Sequence, residues 1–154
     1  MRTLYPLGYA FLLLVAMLPA GCVIMVPGHL YPVQGPLAAT QPQPVYSLTM
    51  NGVYDTGTLT ATLPDGEECK GDWGVISPTD PNARQMSAVW DSVYGSGFFV
   101  AHVLGSRVFA GAILKGDRGT TLNVQIYDPR PGDVSAVVGV ATDNRGNQFK
   151  LTME

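Results

Sequence analysis

Two cysteines, two histidines and two clusters of acidic and amide side chains are the residues whose types could do chemistry in this 154-residue chain. Cys22 stands directly behind Ala20 and Gly21, at the end of the only long apolar run. Cys69 lies in an alternating stretch and reads as a small buried apolar residue. His102 sits inside Val100-Ala101-His102-Val103-Leu104. A general base there needs a carboxylate to orient it and a nucleophile within reach. The nearby Gly95-Ser96-Gly97 lacks the flanking residues of a nucleophile elbow, so His102 reads as structural or solvated. Asp65, Glu67 and Glu68 form one acidic cluster, and Asp143, Asn144 and Asn147 form another. Oxygen ligands of this kind suit calcium, but neither cluster has the spacing of an EF-hand, and turns use the same residue types. Cys and His are too few for structural zinc. The glycines fall at hairpins rather than ahead of a helix, so no phosphate cradle is expected. The sequence therefore assigns no catalytic residue, no metal and no cofactor.

The strongest signal is an address. Arg2 is the sole positive charge ahead of the apolar segment Leu7 to Leu18, and no acidic residue appears before Asp55. A basic start, an apolar core and small residues at a cut site form a secretory signal, removed rather than built into the fold. Ala20-Gly21-Cys22 resembles the lipobox of bacterial lipoproteins, with Pro19 where that family usually has an aliphatic residue. The resemblance covers roughly the first two dozen residues. It implies a signal peptide over 1–21, a diacylglycerol on the Cys22 thiol, and a mature chain that begins at Cys22. It also implies a cell-envelope protein. Val23, in place of an aspartate, implies transport to the outer membrane, facing the periplasm. Two other readings stand beside it. Leu7 to Val26 is about long enough to span a bilayer uncleaved. Alternatively, ordinary secretion would leave Cys22 free to pair with Cys69.

The elements that follow divide in two. Residues 22–45 carry Pro27, Pro32, Pro36, Pro42 and Pro44, which remove backbone donors, so this stretch is expected to be an extended tether behind the lipidated cysteine. At ~3.1 Å per residue, such a spacer would hold a domain tens of Å from the membrane. His29 would be a solvated side chain within it. Residues 46–154 read as one β-rich domain. Leu59, Ala61 and Leu63 alternate with threonines, Pro64-Asp65-Gly66-Glu67 makes a turn, and Cys69, Gly71, Trp73 and Val75 share the dry face of the return strand. Phe98 to Leu104 and Val108 to Leu114 are apolar on both faces, as in central strands. Strands are also expected over Leu122 to Ile126, Val134 to Ala141 and Phe149 to Met153. Asp80-Pro81 and the spacing of Met86, Val89, Trp90, Val93 and Tyr94 predict a helix from about Pro81 to Tyr94, across the sheet or over a barrel mouth. The expected architecture is a small antiparallel sandwich or barrel of six to seven strands with one short helix, its edge guarded by Lys150.

Composition bounds the partners. The formal net charge is −3 and loses one positive charge with Arg2, leaving no basic face for nucleic acid. Hydrophobic residues make up 46% and charged ones 14%, the balance of a folded domain. The expected partners are a membrane, through the N-terminal lipid, and an envelope protein. The aromatics Trp73, Trp90, Tyr94, Phe98 and Phe99 are expected in the core. A non-enzymatic binding or structural module follows. The alternative is a small-ligand-binding domain in the periplasm, or a secreted or N-terminally anchored protein if Cys22 carries no lipid. A deep apolar pocket with a few convergent polar groups would favour the ligand binder, and a flat exposed aromatic patch the partner-binding module.

Overall fold

A computed structural model describes residues 24–53, 55–77, 79–104, 106 and 109–154. Eight antiparallel strands run up and down in chain order and close into a barrel: β1 (Ile24–Gln34), β2 (Tyr46–Val53), β3 (Thr56–Thr62), β4 (Glu68–Val75), β5 (Phe109–Gly116), β6 (Thr121–Tyr127), β7 (Val138–Asp143) and β8 (Gln148–Met153). Closure comes from β1, which pairs with β2 from Ile24↔Gly52 to Leu30↔Tyr46 and with β8 from Gly28↔Met153 to Gln34↔Gln148. Every strand is thereby paired on both sides. The edge expected to need Lys150 does not exist. The Lys150 ammonium instead rests 5.5 Å from the centre of the Tyr94 ring.

The tether expectation is overturned at β1. Its prolines fit a strand because of where their missing donors point. The Pro27 carbonyl accepts from the Glu154 amide, so Pro27 faces β8 beyond that strand's last residue. The Pro32 carbonyl accepts from the Gln43 side chain, so Pro32 faces β2 ahead of its first residue. Neither proline takes a bond from the ladder, which is the condition for proline in a strand. Residues 36–39 are ordered too, as a short 3-10 turn folded against one barrel end. The count reaches eight because β1 and β2 are added to the expected strands while Phe98 to Leu104 drops out of them.

Alternation sorts the walls. Leu59, Ala61, Cys69, Leu114, Leu122, Val124, Phe149 and Leu151 fill the interior with no exposure, as an eight-stranded barrel allows. A second apolar layer lies outside the wall, where Phe109 of β5 and Val140 of β7 meet Met86, Trp90, Phe99 and Val103. Helix α1 spans Ser87–Tyr94 and packs on β7 and β8, against the barrel's flank rather than over its mouth. It is shorter than expected because Asp80 accepts from the Asn82 amide at 2.7 Å, in a local turn, and successive turns carry the chain to Ser87. Phe98 to Leu104 is not the expected central strand. Gly95 (φ 109°) and Gly97 (φ 82°) turn the chain, and Phe99–Val103 then form a wide helical turn, with Phe99 and Val103 both inward at i, i+4 spacing. The aromatics expected in the core are there: Trp73, Trp90 and Phe99 are buried, and Tyr94 and Phe98 are half-buried.

Candidate functional site

The two barrel ends differ, and the difference locates the site. One end gathers the β1–β2, β3–β4, β5–β6 and β7–β8 connections. Here the Glu67 carboxylate, wholly buried, accepts from the amides of Arg118 (3.1 Å) and Thr120 (2.9 Å) and from the Thr120 hydroxyl (2.6 Å). The Thr120 hydroxyl accepts in turn from the Arg145 guanidinium at 3.0 Å. Hydrogen bonds from the Thr120 side chain and amide, then from the Arg118 amide, with the Arg145 charge beside them, hold the Glu67 carboxyl below its ordinary range. Gly116 makes the room, since a side chain there would collide with the Glu67 carboxylate. Asp143 accepts from the amides of Arg145 and Asn147 and from the Asn147 side-chain amide, and Asn147 Oδ1 accepts from the Leu37 amide at 2.9 Å. The two clusters that could have met calcium are therefore turn ends, joined through their hydrogen bonds into a lid. Among the described residues no group of His, Cys, Asp or Glu is placed to hold a metal ion.

The other end is open. It gathers the start of β1, the β2–β3 turn, the exit from β4 toward α1, the β6–β7 loop and the chain's last residues. An apolar cavity of about 220 Å³ enters the barrel here, walled by Val26, Met50, Ala110, Ile126 and Met153, with Val75, Val134 and Val137 nearer the rim. Trp73 forms part of its wall. The indole lies against Gly52 and Gly57, where a side chain on either glycine would strike the ring, and it donates to the Asn51 carbonyl at 3.0 Å. Asp55, from the β2–β3 turn, and Asp128, at the end of β6, also line the cavity. Around it apolar side chains reach solvent: Ile24 and Met25 are 65% and 69% exposed, and Val53, Val75 and Val134 are exposed too.

The sequence-derived candidates fall elsewhere. Cys22 lies outside the described residues. Cys69 is buried in the interior, level with Ala61, Leu48 and Gly28 through successive strand pairs. Burial, with the Glu67 carboxylate adding to it, pushes its thiol up to about 11, which suits a packing role and not a nucleophile. Gly28 is four residues into the barrel from Ile24, so Cys69 sits ~13 Å inside from that level. The reading of Leu7 to Val26 as one spanning helix loses its last residues to β1, which starts at Ile24. His102 is exposed and sets its ring 4.8 Å from that of Phe98. His29 is part of β1, with Nδ1 3.1 Å from the Glu154 carboxylate. Asp55 and Asp128 went unnoticed in the sequence because a carboxylate in a turn signals only a turn. Compared with models of protein families, with curated proteins and with solved structures, the chain matches none.

Proposed function

We propose that this chain is a non-enzymatic envelope lipoprotein, held on the membrane by lipid at Cys22, whose barrel is a cup for a small, mainly apolar ligand. The observation that carries the reading is the position of the cavity at the end where β1 begins. Cys22 precedes Ile24 by two residues, a span of at most about 7 Å of extended chain from the start of β1. The membrane contact is then direct, without a spacer, and the apolar residues Ile24 and Met25 fit an interfacial position. Outer-membrane sorting and a periplasmic setting belong to the same proposal, on the strength of Val23 alone. The ligand-binding alternative now leads, because the aromatics that might have made a partner patch are engaged against the barrel wall. One observation favours a protein partner instead: an open outer groove of about 460 Å³ between Asn82, Gln85 and the outward faces of β5 and β6, with amide side chains at Asn123 and Gln125.

Metabolic labelling with palmitate tests the anchor. Label is expected in the wild-type protein and absent from Cys22→Ala; a labelled variant overturns lipidation at that residue.

A further inference from the structure

The cup reading leaves open which apolar ligand would be selected, and the charge at the rim addresses that. Asp55 lies in the β2–β3 turn and Asp128 at the start of the β6–β7 loop. In a closed eight-stranded barrel of this order those two connections are four strands apart in either direction, so the carboxylates stand on opposite sides of the mouth. Among the described residues neither is ion-paired with a basic side chain. Arg130, the nearest along the chain, is 3.2 Å from Asp133, while its amide donates to Asp128 Oδ1 at 2.9 Å. The Asp55 carbonyl accepts from the Val75 amide, which leaves its carboxylate free of that bond. The walls beneath are apolar, and among the described residues no Lys, Arg or His lines the cavity. An anionic head group brought to this mouth would meet two like charges across it, and a neutral one would gain nothing from them.

We infer that the open end selects an amphipathic cation, with a short apolar body entering the barrel past Met50, Met153 and Trp73 and an ammonium group held at the rim between Asp55 and Asp128. This rests on the cup reading and adds the ligand's charge class to it. The volume limits the body. At ~30 Å³ per water-sized unit, 220 Å³ takes about seven heavy atoms, a six-carbon chain with its head group. A mouth held against a membrane also stands where such molecules concentrate, since they partition into the interface.

Three probes of one length separate the possibilities: hexylamine as its ammonium ion, hexanol and hexanoate. They are titrated at neutral pH into the purified chain in zwitterionic lipid nanodiscs, with empty nanodiscs as the partition control. The readouts are the Met50 and Met153 methyl resonances and the Trp73 indole N–H. Hexylammonium is expected to bind about tenfold more tightly than hexanoate at low salt, with hexanol between them, and the spread should narrow in 0.5 M salt. Shortening the amine to butylamine should cost about fifteenfold, roughly fourfold per methylene withdrawn from the cavity. Asp55→Asn with Asp128→Asn keeps the size and the Asp128 acceptor, and should bring hexylammonium to the affinity of hexanol. Equal binding of all three probes overturns the charge inference and leaves the cup standing. Binding of none of them overturns both.

Discussion

The closed and open ends are both made from connections between antiparallel strands, yet they solve opposite problems. At the closed end a buried carboxylate draws in neighbouring backbone donors and a guanidinium, and Asp143, Asn147 and Leu37 finish the seal. At the open end the rim side chains include valine, methionine and two aspartates, and an apolar cavity opens between the loops. Buried polar groups specify a structure only when every member finds a partner. Apolar rims leave a surface that needs covering. The lesson is that a polar seal and an apolar opening stand at opposite ends of the barrel axis, with the core between them.

Substitutions at each end sharpen that contrast. The largest effect is expected from Trp73→Ala. The ring is 93% buried and fills the space that two glycines leave, so its loss should cost ~3–5 kcal/mol in chemical denaturation. An unchanged denaturation midpoint would mean the ring contributes nothing to the wall beneath the mouth. A smaller, pH-dependent effect is expected at the closed end. Because the folded-state carboxyl of Glu67 is held below its ordinary value of 4.5, its stabilisation is fully present above that value and is lost as pH falls through the folded-state value. Glu67→Gln should lower the melting temperature by roughly 5 °C at pH 7, and the wild-type and variant curves should converge on acidification. Parallel curves down to pH 3 would show that the carboxylate charge is not what seals this end.

Much of the barrel wall was legible. Alternation in Leu59-Thr60-Ala61-Thr62-Leu63, Leu122 to Ile126 and Phe149 to Met153 marks inward faces correctly, because period two has one structural meaning. Val108 to Leu114 reads as apolar on both faces because this wall stands between the interior and the layer under α1; β5 itself runs from Phe109. What failed depends on neighbours remote in sequence. Pro27 and Pro32 argue against a strand unless one knows that β8 has ended and β2 has not begun where their missing donors point. Phe98 to Leu104 carries apolar residues at both spacings, and the positive φ of Gly95 and Gly97 selects the helical one. The site was least legible of all. Asp55 and Asp128 are 73 positions apart in the chain and face one another only when eight strands close. Glu67 reads in sequence only as part of an acidic turn, and its burial follows from Thr120 and Arg145, both more than 50 positions away.

Xenon pressurisation followed through methionine methyl resonances tests the central contrast most directly, because xenon enters apolar cavities without regard to charge. The account predicts saturable shifts at Met50 and Met153, which line the open end, and none at Met86, which is buried outside the barrel wall. Shifts at Met86 with silence at Met50 and Met153 would contradict it, since the receptive space would then lie under α1 rather than within the mouth.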